Sequence, residues 1–129
     1  MEIRADIVRL RLAETFVIAR ESSDWDDVVQ VELRYGDHVG RGEAAPIERY
    51  EETPASALGF IEEHRDLVGD DPFALEQIGS RLAEVPGEQA AKAALDGALH
   101  DLQGKLLGVP VWKLLGLPRV GSPTSWTIW

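Results

Sequence analysis

The sequence of 129 residues contains no cysteine. This absence excludes a disulfide framework and thiolate metal sites, and it leaves a reducing cytoplasm as the simplest expected compartment. No apolar run is long enough to cross a bilayer, and residues 1–6 alternate charged and apolar side chains, unlike a signal peptide. We therefore expect a cytoplasmic protein that does not act at a membrane.

Basic residues are also scarce, with 13 lysines and arginines against 23 aspartates and glutamates, and the formal net charge is -10. Nucleic acids and anionic membranes are polyanions that favour basic surfaces. The charge therefore predicts neither of them as a partner, and it leaves small molecules or proteins.

Groups able to carry catalysis or to hold a metal are few. The lysines are Lys92, Lys105 and Lys113, and each falls where a solvated helix-surface charge is expected, not in the buried or like-charged setting that activates a lysine. The histidines are scattered, and the acidic run at residues 24–27 is interpreted as a solvated loop rather than a cation site. We predict no catalytic residue and no metal site within this chain.

Hydrophobic periodicity divides the chain into two halves, with a period near two over residues 3–45 and near three and a half over residues 54–115. In the first half, residues 36–38 predict a tight turn between two strands. In the first strand the apolar parity changes between Ile7 and Val8, which predicts a bulge or an exchange of faces there. The first half is therefore predicted to be a three-stranded antiparallel meander.

The second half predicts three to four helices. Thr53 with Pro54 is typical of a helix start, and Asp71 with Pro72 repeats that signal. The third helix has the clearest amphipathic spacing, carried by Ala91, Ala94, Leu95, Ala98, Leu99, Leu102 and Leu106. The length fits one compact domain, so we predict an α+β fold in which a helical bundle follows the meander and ends in a short helix at residues 111–115.

Two segments suggest more than a structural role. Residues 16–20, Phe-Val-Ile-Ala-Arg, form an apolar run with one arginine between the first two strands. Such a run either extends the first strand or forms a lid whose arginine binds a ligand carboxylate. Residues 42–53 form a polar, aromatic connection from sheet to helices, for which an ordinary connector anchored by Tyr50 is the simpler interpretation. The glycines at 40 and 42 are interpreted as marks of close strand packing.

The last six residues, 124–129, alternate aromatic and β-branched side chains and are typical of a β-strand. No partner strand follows them in the sequence. We therefore expect the chain to stop at the first strand of a larger unit, and we expect the reacting groups to lie beyond Trp129.

Taken together, these features resemble the N-terminal capping domain of the enolase superfamily, and within it the muconate-lactonizing subgroup, with the dipeptide epimerases most similar. Residues 42–46 and 94–105 are shared broadly in the subgroup and indicate the fold, as does Pro-Val-Trp-Lys-Leu-Leu-Gly at 110–116. Residues 16–20 with Arg49-Tyr50 are narrower and carry the epimerase suggestion. The resemblance covers essentially the whole chain.

The resemblance implies a capping domain at residues 1–118, and a linker with the first strand of a truncated C-terminal (β/α) barrel at residues 119–129. It also implies two mobile loops that cover the mouth of the barrel and select the substrate. These loops match roughly residues 14–27 and 45–52.

The same resemblance places seven residues at the substrate: Arg20, Phe16, Ile18, Arg49, Tyr50, Thr124 and Thr127. Arg20 matches a position that grips a substrate carboxylate in some dipeptide epimerases, and Phe16 and Ile18 match apolar wall positions. Thr124 and Thr127 match the first barrel strand, where a hydroxyl can reach the substrate.

Family chemistry is removal of the α-proton of a carboxylate substrate and its return to the opposite face. Lysines on opposite sides act as base and acid, and Mg²⁺ held by three carboxylates stabilises the enediolate. All these groups would follow Trp129, so the chain alone is expected to be inactive.

The full-length protein is then expected to be a Mg²⁺-dependent epimerase of L-Ala-L/D-Glu-like dipeptides and a homo-oligomer, with its own barrel domain as the partner of this one. A muconate cycloisomerase or o-succinylbenzoate synthase relative remains an alternative within the same fold. From a different class, the alternative is a free-standing protein-interaction module.

Overall fold

The computed structural model describes residues 1–18 and 21–124. The three strands within these ranges form an antiparallel sheet in the order β1-β2-β3, where β1 spans Glu2–Ile18, β2 spans Glu21–Tyr35 and β3 spans His38–Ala44. The turn between β2 and β3 contains Gly36 at a φ of 57°, which glycine adopts without steric cost. The predicted meander and its turn are confirmed.

The first two strands form a long hairpin with one irregularity. Pairing continues without a shift up to Arg11 opposite Trp25, and it resumes at Phe16 opposite Ser23. Four residues of β1, at 12–15, therefore lie opposite a single residue of β2. This bulge separates the sheet proper from the end of the hairpin.

The bulge predicted between Ile7 and Val8 is wrong in position, because both residues pair in register with β2. Burial falls along β1, from 7% exposure at Ile3 to 44% at Ile7. Beyond Ile3 and Ala5, apolar residues are therefore no longer restricted to one face of β1. Their alternation in the sequence no longer indicates which face of the strand is buried.

Four α-helices follow the sheet in the described part of the chain, as predicted: α1 at Pro54–Glu63, α2 at Leu75–Glu84, α3 at Gln89–Leu107 and α4 at Val111–Leu114. Short 3-10 segments lie at Glu48–Tyr50 and Arg65–Leu67. The start of α1 is a capping box, in which Thr53 Oγ1 accepts the Ser56 N–H at 3.0 Å and Ser56 Oγ accepts the Thr53 N–H at 2.9 Å.

The second predicted helix start is wrong by three residues. The Asp71 carboxylate accepts the N–H of Phe73 at 2.9 Å, which closes a local turn instead of capping a helix. Helix α2 begins at Leu75, and its first backbone bond runs from the Ile78 N–H to the Ala74 carbonyl at 2.9 Å. The Asp-Pro pair thus ends the preceding segment in a turn.

The core lies between one face of the sheet and helix α3. It gathers the alternating apolar residues of β2 with the small and branched residues of the helices; the most deeply buried include Val29, Val31, Leu33, Ile61, Ile78, Ala94, Leu95, Ala98, Leu99 and Leu102. Burial of this single apolar set is the main favourable contribution to folding.

Side chains of α3 cover the outer edge of β3. The Asp101 carboxylate accepts the Arg41 N–H at 2.8 Å, and Lys105 Nζ donates to the Val39 carbonyl at 2.7 Å. The same lysine donates to Asp101 at 2.6 Å across one helical turn. These bonds satisfy backbone groups of an edge strand that would otherwise be open to pairing with another chain.

Candidate functional site

The first predicted site segment lies at the end of the β1–β2 hairpin. We call residues 16–18 and 21–23 the hairpin tip; Phe16 pairs opposite Ser23, and Ile18 pairs opposite Glu21. Phe16 and Ile18 are 39% and 49% exposed, and as alternate strand residues they face the same side. For residues 16–18 the alternative in which the run extends the first strand is confirmed. Arg20 lies outside the described residues.

A charged and aromatic cluster lies immediately before the bulge, on the side of the longer ladder. Arg9 makes a bidentate pair with Asp27, with Nε–Oδ1 and Nη2–Oδ2 distances of 2.8 and 2.7 Å. Its guanidinium carbon also lies 5.2 Å from the centroid of the Trp25 ring. We call Arg9, Trp25 and Asp27 the base cluster. They hold the two strands together where the sheet ends.

The base cluster changes the electrostatics of its members. The hydrogen bonds from Arg9 lower the pKa of the Asp27 carboxyl below its ordinary value, while partial desolvation opposes this shift and the arginine charge adds to it. The same hydrogen bonds raise the pKa of Arg9. The pair is therefore ionised on both sides at neutral pH.

The acidic run that was expected to form a solvated loop lies within β2 instead. Thr15 Oγ1 donates to the Asp24 carboxylate at 2.6 Å, and Asp27 is paired with Arg9. Strands disfavour aspartate in general, but partners on the facing strand offset that preference here. A groove of about 520 Å³ follows this part of the hairpin, lined by residues that include Arg11, Glu14, Thr15, Asp24 and Trp25.

The second predicted site segment follows β3. Arg49 and Tyr50 belong to the 3-10 segment Glu48–Tyr50, and Tyr50 is 69% exposed. Strand β3 ends at Ala44 opposite Val29, while the hairpin continues past Val29 toward its tip. Both site segments therefore leave the same end of the sheet, although one continues the hairpin and the other begins the connection to the helices.

Glu52 anchors the second segment, and sequence reasoning missed this role. The expected anchor at Tyr50 is wrong, because Tyr50 is 69% exposed. Glu52 is only 8% exposed, and its carboxylate accepts the N–H groups of Gln89 and Ala90 at 2.6 and 3.1 Å. The carboxylate thus caps helix α3 from 37 residues away. One signal in the sequence could have indicated this role, because Glu88, the residue before α3, is not a usual N-cap residue. In the structure Glu88 has a φ of 49° and makes no side-chain cap.

The remaining predicted site residues lie near the end of the described chain. Thr124 lies in exposed, irregular backbone. Thr127 lies outside the described residues, as does most of the strand predicted at residues 124–129. Contact of either hydroxyl with a substrate therefore stays a prediction.

The lysines differ from the prediction in one case. Lys92 is partly buried, donates to the Val85 carbonyl and lies 5.6 Å from the centroid of the Phe60 ring. The expectation of a solvated charge is wrong there, because the ammonium joins the segment before α3 to α1. Lys105 forms the predicted helical pair with Asp101.

The resemblance implies Mg²⁺ ligands that follow Trp129, and the described residues do not form a second such site. Within residues 1–18 and 21–124, no group of three or more histidine, aspartate or glutamate side chains could hold a metal ion. Hard cations require several converging oxygen ligands.

Within the described ranges, none of the helices has the length and apolar character that a membrane crossing requires.

Comparison with known proteins assigns the family. The family described as "Mandelate racemase / muconate lactonizing enzyme, N-terminal domain" matches residues 2–116. The chain belongs to this family. The predicted resemblance to an enolase-superfamily capping domain is therefore confirmed, and so is the α+β architecture.

Curated relatives of this N-terminal domain include dipeptide epimerases. The L-Ala-D/L-Glu epimerase of Bacteroides thetaiotaomicron is 41% identical over 121 residues, which cover 92% of this chain and 32% of that protein. The L-Lys-D/L-Arg epimerase of Methylococcus capsulatus is 38% identical over 91% of this chain and 34% of that protein. The chain thus spans about a third of the length of these relatives.

Solved structures repeat the fold of this N-terminal domain. A dipeptide epimerase from Enterococcus faecalis, complexed with Mg and L-Leu-L-Tyr, matches with a TM-score of 0.80 and 32% identity over 88% of this chain and 33% of that one. A muconate lactonizing enzyme from Pseudomonas fluorescens, complexed with muconolactone, matches with a TM-score of 0.83 and 31% identity over 92% of this chain and 34% of that one.

Proposed function

We propose that the chain is the capping and specificity domain of a longer isomerase, a dipeptide epimerase acting on L-Ala-L/D-Glu-like substrates. The observation that carries the proposal is the departure of both candidate segments from one end of the sheet. Two segments at one end can cover a single opening in the rest of the protein. The names and substrates of the relatives support dipeptides as the ligand class.

Within that function the side chains have separate roles. Phe16 and Ile18 form an apolar wall against the substrate, and Tyr50 with Arg49 borders the opening from the second segment. Arg20 binds the substrate carboxylate through its planar fork of N–H donors. Each of these roles is the selection and positioning of the substrate.

The reaction itself is assigned to residues that follow this chain. We place the domain boundary after residue 118, with residues 119–129 leading into a barrel that carries the acid–base groups and Mg²⁺. Trp112, Leu115 and Leu117 are 39%, 51% and 53% exposed. Their apolar surface, in and just after α4, supports a contact between this domain and that barrel.

Activity of the full-length protein tests the proposal. We expect epimerisation at the C-terminal residue of L-Ala-L-Glu. Polarimetry, or exchange of the α-proton with deuterium from solvent, measures the reaction. Arg20→Ala should lower kcat/KM by about ten- to a hundredfold, the value of lost hydrogen bonds to a charged group. Arg34→Ala, at the far end of β2, is the matched control and should leave kcat/KM unchanged.

The muconate cycloisomerases are the second candidate, because a muconate lactonizing enzyme shares the fold with a TM-score of 0.83. Muconate carries no amine and no dipeptide backbone. Turnover of cis,cis-muconate without exchange of a dipeptide α-proton would favour this candidate and reject the epimerase.

A further inference from the structure

The hairpin has two separately paired parts. The longer ladder, up to Arg11 opposite Trp25, belongs to the sheet, and the shorter ladder resumes at Phe16 opposite Ser23. The bulge between them leaves four residues of β1 opposite one residue of β2. The direction of the hairpin tip therefore depends on how the strands are held on either side of the bulge.

We infer that Arg9, Trp25 and Asp27 are positioning residues that set where Phe16 and Ile18 stand over the substrate. This inference rests on the proposed function, since it assigns the hairpin tip to the substrate. None of the three side chains needs to touch the ligand. They act through the geometry of the hairpin immediately below the bulge.

The geometry of the base cluster suits this role. A bidentate arginine–carboxylate pair fixes both distance and plane, which a single ion pair does not do. The Trp25 ring beside the guanidinium restricts Arg9 further, because the cation is attracted to the ring face. Arg9 and Asp27 lie on facing strands, so the pair fixes the two strands relative to each other.

Hydrogen bonds carry this constraint across the bulge. Thr15 Oγ1 donates to Asp24, and Ser23 Oγ donates to the carbonyl of Trp25. Thr15 precedes Phe16 in the chain, and Ser23 is the residue opposite Phe16. On β2 the base cluster is thus connected through Trp25 to Ser23 of the hairpin tip, and the Thr15–Asp24 bond links the two strands at the bulge.

The cluster is poorly placed to stabilise the fold. The side chains of Arg9 and Asp27 are 64% and 30% exposed, and Trp25 is 51% exposed. Exposed ion pairs contribute little to the free energy of unfolding. An effect on substrate binding without an effect on stability therefore separates a positioning role from a structural one.

The test uses the full-length protein with Asp27→Asn, which removes the charge and one acceptor while keeping the side-chain size. We expect KM for a dipeptide to rise about fivefold, the upper end of what an exposed ion pair contributes, with kcat within about twofold of wild type. Hydrogen exchange of the amides at residues 16–18 and 21–23 should become faster. The temperature of unfolding should stay unchanged.

Asp6→Asn is the matched control, because Arg4 Nε donates to Asp6 at 2.8 Å in an exposed pair at the other end of β1. It should change neither KM nor exchange at the hairpin tip. The exchanged pair, Arg9→Asp with Asp27→Arg, should return KM most of the way to the wild-type value, because it restores the link between the strands.

An unchanged KM in Asp27→Asn with unchanged exchange at the hairpin tip would overturn the inference. So would a lower unfolding temperature with faster exchange throughout the sheet, because the pair would then be a general stabilising contact. Hydrogen exchange is measured without substrate. It therefore tests the base cluster even if the wild-type protein fails to epimerise dipeptides and the proposed function is rejected.

Discussion

Gly42 of β3 lies directly against the backbone of Ala94 in α3: a Cβ built on Gly42 would stand 1.9 Å from the Ala94 carbonyl oxygen. The neighbouring atom is backbone, so no side-chain rotation can relieve the contact. We expect Gly42→Ala to lower the free energy of unfolding by about 3 kcal/mol, at the upper end of overpacking costs. Urea unfolding followed by circular dichroism measures the change.

Gly97→Ala is the matched control for that substitution. Gly97 lies in the same helix, is exposed, and has no atom within 4 Å of an added Cβ. Alanine there should raise the free energy of unfolding by about 0.5–1 kcal/mol, because it removes freedom from the unfolded chain. Equal effects of the two substitutions would refute the close approach of sheet and helix.

The sequence predicted those parts of the fold that depend on near neighbours. The alternation in β2, the spacing in α3 and the Thr53-Pro54 start of α1 are local patterns, and all three are confirmed. The glycines at 40 and 42 were also interpreted correctly as marks of close packing, since a glycine inside a strand often marks the close approach of another backbone.

The errors have two sources, a competing bond to a near neighbour and partners that are distant in the sequence. The Asp-Pro pair did not mark a helix start, because the Asp71 carboxylate accepts the Phe73 N–H and closes a turn. The acidic run entered a strand because Arg9, 18 residues from Asp27, pairs with it. The cap that Glu52 supplies to α3 crosses 37 residues and has no spacing rule. For the candidate site, sequence reasoning missed the contacts that hold the two segments, and their role at a substrate stays a prediction.

Glu52 joins the second site segment to the start of α3, and its removal should therefore be costly. Glu52→Ala leaves the N–H groups of Gln89 and Ala90 without their acceptor in a partly buried place. We expect a loss of about 1–3 kcal/mol in the free energy of unfolding, measured by chemical denaturation. Glu62→Ala, on the exposed side of α1, should stay within about 0.5 kcal/mol of wild type.

The ionisation of Asp27 should depend on Arg9. Because the hydrogen bonds from Arg9 lower the pKa of Asp27 in the folded state, the small contribution of this exposed pair to stability is present above the unfolded carboxyl pKa of about 4. It is lost as the pH falls through the lower folded value. NMR titration of the Asp27 carboxyl carbon measures this pKa directly.

In Arg9→Met the same titration should move up to the ordinary range of an aspartate, because the donors are gone. A midpoint for Asp27 that is the same in wild type and Arg9→Met would show that the bidentate pair is not populated in solution.

The Asp101–Lys105 pair should protect the edge of β3. Asp101→Ala removes the acceptor of the Arg41 N–H and one partner of Lys105, so we expect a loss of about 1 kcal/mol in stability. The larger consequence is an open edge at residues 39–41, which favours pairing between chains. Light scattering of the full-length protein at high concentration should rise in Asp101→Ala.

Lys113→Ala, on α4, is the control and should leave the scattering unchanged, since that lysine lies away from the strand edge. A monodisperse Asp101→Ala protein with wild-type stability would refute the protective role of the pair.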